Sequence, residues 1–305
     1  MTTNEIKLGK SEKKMKLSKS EYNKSSYFYD EIMNEFKMYF SLYEDLVEIL
    51  KPKSVLELGC GMGRLFWIFM KEAKEITGID LSDEMISQGR KYYAEHKVEN
   101  AIVEFVNTDM CSFQLNKKYD LIVFALSVLK HLSTDKERLA ALKKAKEHLS
   151  EEGFIVIDQA PLLYASRPTD WIDAKNSLVA DWLPDPSVLD GYQWKKSLKG
   201  NIDILQWRYE NSEEIQFEVQ FTTYRYDIDR LIEHLSQLDM SHEQMLTEWG
   251  VNGLGNKGKR FIGFACYPGK KYSPKRELIE NVKKRNERLW SDFDLYIEDK
   301  KSMKM

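Results

Sequence analysis

Between Ser54 and Gln159 short apolar runs alternate with longer stretches in which apolar residues recur at helical spacing. The runs Val55–Leu58, Ile76–Asp80, Ile102–Asn107, Asp120–Ala125 and Phe154–Asp158 have the length and the apolar content of buried strands. The stretches Arg64–Glu72, Ser82–His96 and Asp135–Leu149 read as helices. Ser82 stands where an N-cap belongs, as does Thr134 or Asp135 for the later helix, and Gly153 follows as a turn residue. Strands and helices in strict alternation predict an α/β fold, a parallel sheet with helices on both faces.

The pattern changes on either side of this block. Residues 1–21 are rich in Lys, Ser and Glu and read as a mobile tail. From Tyr22 to Leu50 the residues Ile32, Phe36, Tyr39, Phe40, Tyr43, Leu46 and Leu50 fall at helical spacing, until Lys51-Pro52-Lys53 breaks the run. Residues 161–199 show no clear period and hold Trp171, Trp182 and Trp194. Beyond them, Ile202–Tyr209 and Ile215–Thr222 alternate around a turn at Glu210–Glu214, a β-hairpin signature. Asp227–Leu238 reads as a helix and Phe261–Tyr267 as a final strand. These shifts divide the chain into the tail, a lid-plus-core unit at 22–160, a cap insertion at 161–226, the end of the core at 227–269 and a charged helix or tail at 270–305.

Composition narrows the class. An apolar content of 42% supports a sizeable core and argues against global disorder. A net charge of −3 gives no general attraction to a polyanion, so nucleic acid is not an expected partner. Cys60, Cys111 and Cys266 are far apart, without metal-ligand spacing, and fit reduced thiols. The polar N-terminus and the shortness of the apolar stretch Leu121–Leu129 lead to the expectation of a cytoplasmic protein with no membrane span and no metal.

The chemistry centres on Gly59-Cys60-Gly61-Met62-Gly63-Arg64, set between the first strand and the first helix. A strand, a glycine turn and a helix aim backbone N–H groups and a positive helix end at a ligand. Asp80 closes the second strand at a distance suited to a ribose. A dinucleotide fingerprint wants a third glycine where Arg64 stands, which leaves nicotinamide chemistry a minor alternative.

Glu57 followed by glycines at alternate positions and then Arg64 resembles the first motif of class I S-adenosylmethionine (SAM) methyltransferases. The layout is similar to small-molecule members of the glycine N-methyltransferase type, over roughly residues 22–268. The resemblance implies a Rossmann-like sheet with an N-terminal helical lid and an antiparallel insertion capping the site. It assigns the loop, including Cys60, to the methionine half of SAM, and pairs Arg64 with the methionyl carboxylate. It places Asp80 and Leu81 at the ribose, with Met85 either against the adenine or in the core. Asp109 would receive the adenine amino group, with the backbone N–H of Met110 nearby, unless Asp109 is an ordinary turn aspartate. Ala125, Leu126 and Ser127 would stand beside the sulfonium, and Tyr29 would reach the cofactor from the lid.

His131 matches a position where relatives carry histidine, either as a base or as a structural residue. Tyr22, Trp171, Trp194 and Tyr224 are candidates to line an apolar or cation-accepting substrate pocket, or to form the core of the insertion. The expected reaction is in-line methyl transfer to oxygen or nitrogen of a small molecule, helped mainly by alignment and exclusion of water. Methylation of a polypeptide side chain, or a non-catalytic SAM-binding subunit, are the alternatives. A homodimer is compatible with this reading.

Overall fold

The computed structural model describes residues 40–96, 100–159, 169–177, 186–211, 214–248 and 259–269, together with 274, 277, 278 and 281. The expected lid at 22–39, and with it residues 249–258 and most of 270–305, lies outside the described residues.

Five parallel strands carry the first sheet: β1 (Ser54–Leu58), β2 (Glu75–Asp80), β3 (Ile102–Asn107), β4 (Tyr119–Phe124) and β5 (Leu149–Gln159). Two later strands, β10 (Ser241–Glu248) and β11 (Lys259–Cys266), complete it in the order β10-β11-β5-β4-β1-β2-β3. Only β11 runs antiparallel, to both of its neighbours. Alternate residues feed two cores: Val55, Leu121 and Val123 enter one, Leu56, Leu58, Ile122 and Phe124 the other. A sheet buried on both faces needs apolar residues at every position, which is why these strands read as unbroken apolar runs.

Helix α1 (Phe40–Leu50) buries Leu42, Tyr43, Leu46 and Val47 on one side of the sheet. α2 (Phe66–Phe69) is a single turn, shorter than the expected Arg64–Glu72, because the chain remains in turns from Gly61 through Leu65. α3 (Asp83–Glu95) starts at Ser82, whose hydroxyl accepts from Met85 N at 3.1 Å. α4 (Asp135–His148) opens with a capping box between Thr134 and Glu137. After it β5 begins at Leu149, so Gly153 lies inside the strand, beside a register irregularity in β4, and not in a turn.

The insertion forms a separate antiparallel sheet of β6 (Ile172–Asp173), β7 (Tyr192–Lys199), β8 (Ile202–Asn211) and β9 (Glu214–Tyr224). Tyr192, Trp194, Trp207, Val219 and Phe221 make its own core with Ala174 and Leu189. The chain then returns through α5 (Ile228–Gln237) to β10 and β11. Among the described residues no helix is long and apolar enough to cross a membrane.

Candidate active site

In an open parallel sheet a ligand site forms outside the carboxyl ends of the strands, where the strand order reverses. Here β1 has β2 on one side and β4 on the other, so the reversal lies at the end of β1, where the glycine loop begins. The loop is tied to β2: Gly59 N and Cys60 N donate to Ile79 O at 2.8 and 3.0 Å. Gly59 has φ +74°, and a Cβ there would stand 2.2 Å from Val128 Cγ2, so only glycine lets the loop pass. Gly61 also has a positive φ (+56°), yet its Cβ would meet nothing within 4 Å. Its backbone faces open space, the cradle a ligand needs. Behind the loop, Tyr93 Oη donates to Gly63 O at 2.6 Å. Phe66 packs on Phe105 with ring centroids 4.9 Å apart, giving the loop a rigid aromatic backing.

Asp80 clips this loop shut. Its Oδ2 accepts from Gly61 N at 2.8 Å and its Oδ1 from Ser82 N at 2.8 Å. Burial raises its carboxyl above the ordinary range, and the bonds from Ser82, Gly61 and Leu81 pull it back. Capping of α3 falls to Ser82, which leaves Asp80 at the crevice with further lone pairs to offer. Asn107 Nδ2 donates to the carbonyls of Asp80 and Leu81, at 3.0 Å each, and so fixes the strand end.

Glu57 is the last residue but one of β1, two before the turn at Gly59, and is 3% exposed. Its Oε2 is buried with no hydrogen-bond partner among the described residues. Burial holds its carboxyl well above the usual range; nearby Arg64 lowers it and Asp80 raises it. Arg64 sits in the turn preceding α2, not in the first helical turn, with its guanidinium 5.9 Å from the Phe40 ring centroid. Cys60 packs inward toward Gly78, and burial pushes its thiol far above the ordinary range, so its side chain is part of the packing behind the loop.

Beyond β4 the chain makes an unusual turn. Ala125 is buried, and Leu126 and Ser127 follow with φ +51° and +67°. Two consecutive non-glycine residues in the left-handed region cost on the order of 1 kcal/mol or more each, so something must hold them there. Asp158, at the end of β5, does so: its Oδ2 accepts from Leu126 N at 3.2 Å and its carbonyl from Ser127 N at 2.8 Å. Sequence reasoning missed Asp158, although an acid closing an apolar strand is the same signal that marked Asp80.

Other expected site residues divide. Asp109 Oδ1 accepts from Cys111 N at 2.9 Å, so it forms the turn that opens beside Met110. Met110 stands at the loop, its Cε 3.4 Å from the position of a Gly59 Cβ. Met85 is 2% exposed and is a core residue here, not the wall of an open pocket. Trp194 is likewise interior: it packs on Trp207 with ring centroids 6.1 Å apart, and its indole N–H donates to Ser177 Oγ at 2.9 Å. The ring of Trp171 lies under Lys195 Nζ and Arg208 Cζ at 4.4 and 4.5 Å, an internal cation contact. Tyr224 is half-buried near the end of β9, across from Ile202. Tyr22 and Tyr29 lie outside the described residues.

His131 ends a 3-10 turn (Val128–His131) that follows the strained pair. Its ring donates to the Thr222 carbonyl, joining the edge strand of the second sheet to the end of β4. Burial lowers its pKa from 6.5 to about 4 against the opposing effect of that bond. The sign is definite: from pH 6.5 down to about 4 the unfolded histidine binds a proton that the native one refuses, so its contribution to stability falls as pH falls. His131→Gln is expected to flatten this part of the pH dependence of Tm. Superimposable profiles for the two proteins would contradict the burial assigned to His131.

Residues 55–153 match the family described as methyltransferase domain. Among curated relatives, dTDP-3-amino-3,4,6-trideoxy-alpha-D-glucopyranose N,N-dimethyltransferase of Streptomyces venezuelae is 30% identical over 116 residues, 37% of this chain and 46% of that protein. (S)-coclaurine N-methyltransferase of Papaver somniferum is 28% identical over 161 residues, 51% of this chain and 43% of that protein. The chain spans about half the length of the curated relatives it matches. A crystal structure of an S-adenosylmethionine-dependent methyltransferase from Clostridium acetobutylicum ATCC 824 shares the fold, with TM-score 0.62 and 16% identity over 81% of this chain and 99% of that one. The orphaned Glu57 oxygen and the open space at Gly61 suit a ligand with a cationic end and a nucleoside-like body.

Proposed function

From residues 55–153 as a methyltransferase domain of the class I, SAM-dependent kind, we propose that the chain transfers a methyl group to a nitrogen or oxygen atom of a small molecule. The observation that carries this is the loop–Asp80 clip at the end of β1, which leaves Gly61 facing open space with a buried, unmatched carboxylate oxygen on Glu57 behind it. When bound, SAM supplies a methyl group already activated on a sulfonium. The residues have the simpler tasks of holding it and aligning an acceptor.

In this reading Asp80 takes the ribose hydroxyls, Glu57 the methionyl ammonium and Arg64 its carboxylate. Asp109 and Met110 border the adenine. The backbone of Ala125–Ser127 borders the sulfonium, with His131 holding the cap sheet beside it. Among the described residues Tyr224, half-buried at the end of β9, is the proposed acceptor contact, and the Trp171 ring is already taken by Lys195 and Arg208.

Nitrogen is the favoured acceptor. His131 is engaged with Thr222, and a pKa of about 4 makes it a weak proton acceptor. Tyr226, just beyond β9, offers no base either: it is buried, and its hydroxyl is pushed upward and bonded to His234 at 2.8 Å. An amine that arrives as its free base needs no such group. The two relatives above act by name on nitrogen in small molecules.

The test is incubation with methyl-labelled SAM and a cell extract separated by size. Label is expected in the small-molecule fraction, on amine-bearing compounds. Label confined to polypeptide would overturn the substrate class.

A further inference from the structure

Asp158 is an acidic side chain 1% exposed in the interior of the sheet. A single oxygen, Oδ2, accepts from Leu126 N at 3.2 Å and from the hydroxyl of Tyr43 at 2.6 Å. Its main-chain carbonyl takes Ser127 N at 2.8 Å. Tyr43 is itself fully buried on α1 and meets Phe69 edge-on, with ring centroids 6.4 Å apart, so its hydroxyl is held in place by packing. One carboxylate therefore joins α1, β5 and the left-handed turn after β4, segments that are 115 and 32 residues apart in the chain.

Within the turn itself Val128 N donates to Ala125 O at 3.0 Å and Lys130 N to Ser127 O at 2.9 Å, and Asp158 ties it to β5. Leu126 and Ser127 both carry positive φ without being glycine, and their two N–H groups both point at Asp158. The turn runs directly into Val128, whose Cγ2 stands 2.2 Å from where a Gly59 Cβ would be, so it lies against the glycine loop, where the reading given under Proposed function places the sulfonium. A buried acid directly behind that backbone also puts negative charge close to the only cationic atom that distinguishes the reactant cofactor from its product.

We propose that Asp158, oriented by Tyr43, is the positioning residue that fixes the sulfonium-facing turn and makes the site prefer the cationic cofactor over its neutral thioether product. The inference rests on the SAM reading of the site and adds to it the residue that discriminates SAM from S-adenosylhomocysteine. Discrimination at this point favours exchange of product for fresh cofactor after each turnover.

Both ligands carry the same adenosine and methionine-derived parts and differ in one methyl group and one charge. Calorimetric dissociation constants for the two, in wild type, Tyr43→Phe and Asp158→Asn, separate the effects. In Asp158→Asn the preference for SAM is expected to fall about tenfold, and in Tyr43→Phe about threefold, as one interaction with a charged group is lost or loosened. Affinity for S-adenosylhomocysteine should change by less in both. General loosening of the fold would weaken both ligands together and leave the ratio unmoved. Ratios in folded variants equal to that of wild type would overturn the proposal; should Asp158→Asn fail to fold, Tyr43→Phe decides it alone. Wild-type protein that binds neither ligand would instead overturn the SAM reading itself.

Discussion

Asp80→Ala is expected to weaken SAM binding by about 100-fold or more, the largest loss from any single side chain at the site. Two backbone amides, Gly61 N and Ser82 N, each donate to this carboxylate at 2.8 Å. Hydrogen bonds to charged groups contribute about 1.5–3 kcal/mol each, and tenfold in affinity is about 1.4 kcal/mol. Removing the carboxylate strands both amides and releases the loop from β2's end, before the loss of any ribose contact is counted. Titration calorimetry with SAM reads the affinity, and the Tm of the ligand-free protein reads the loop. An affinity within threefold of wild type would show that Asp80 serves the fold alone.

The second large effect has opposite signs in the two states of the protein. Glu57→Gln should stabilise the ligand-free chain at neutral pH while weakening SAM binding by roughly 10- to 100-fold, the loss of one charge-assisted hydrogen bond. Glu57 is buried with an oxygen that finds no partner among the described residues, and burial raises its pKa well above 4.5. For a group whose native pKa is raised, stability is fully present below the unfolded value and is lost as pH rises through the native one. Ligand-free wild type should therefore lose stability on alkalinisation above pH 4.5, in a way the glutamine variant does not. At neutral pH the gain is of the order of 1–3 kcal/mol, the cost of an unsatisfied buried group. A cationic ligand beside Glu57 should reverse the preference. Melting curves with and without SAM give both halves of the result; equal Tm values for the two ligand-free proteins and equal affinities would refute the assignment.

Much of the fold was legible because the central strands obey one rule. Buried on both faces, β1, β2 and β4 are apolar at nearly every position; β3, at the sheet edge, shows by its shorter apolar series, and all four lie within one residue of where their runs predict them. The strands that escaped were those whose pattern is disguised. β7 alternates Tyr192, Trp194, Lys196, Leu198 toward one face, but Lys196 breaks the apolar series. It is tolerated there because Asp203 of the next strand meets it at 2.7 Å, with both side chains 12% exposed. β10 is an edge strand paired with β11 alone and carries mostly polar residues, so little in Ser241–Glu248 announces it. The hairpin β8–β9 was visible because its turn and both alternating faces are local.

The site shows the same division. Glu57, Gly59, Gly61 and Gly63 lie in one strand-turn-helix unit and Asp80 closes the strand that follows it, and that spacing can be read directly. Asp158 and Tyr43 meet across 115 residues, and no local pattern marks their contact. Trp194 reads equally well as pocket wall or as core, and only the stacking with Trp207 places it in the core. His131 stood at the right point of the chain, but its bond to Thr222 depends on how the second sheet docks on the first.

The central claim is that the crevice at the end of β1 is a SAM site, and direct titration of the wild-type protein with SAM tests it with no acceptor required. Binding is expected at one site per chain with a sub-millimolar dissociation constant, lost in Asp80→Ala. Absence of heat at millimolar SAM, from protein whose melting curve shows it folded, would contradict it.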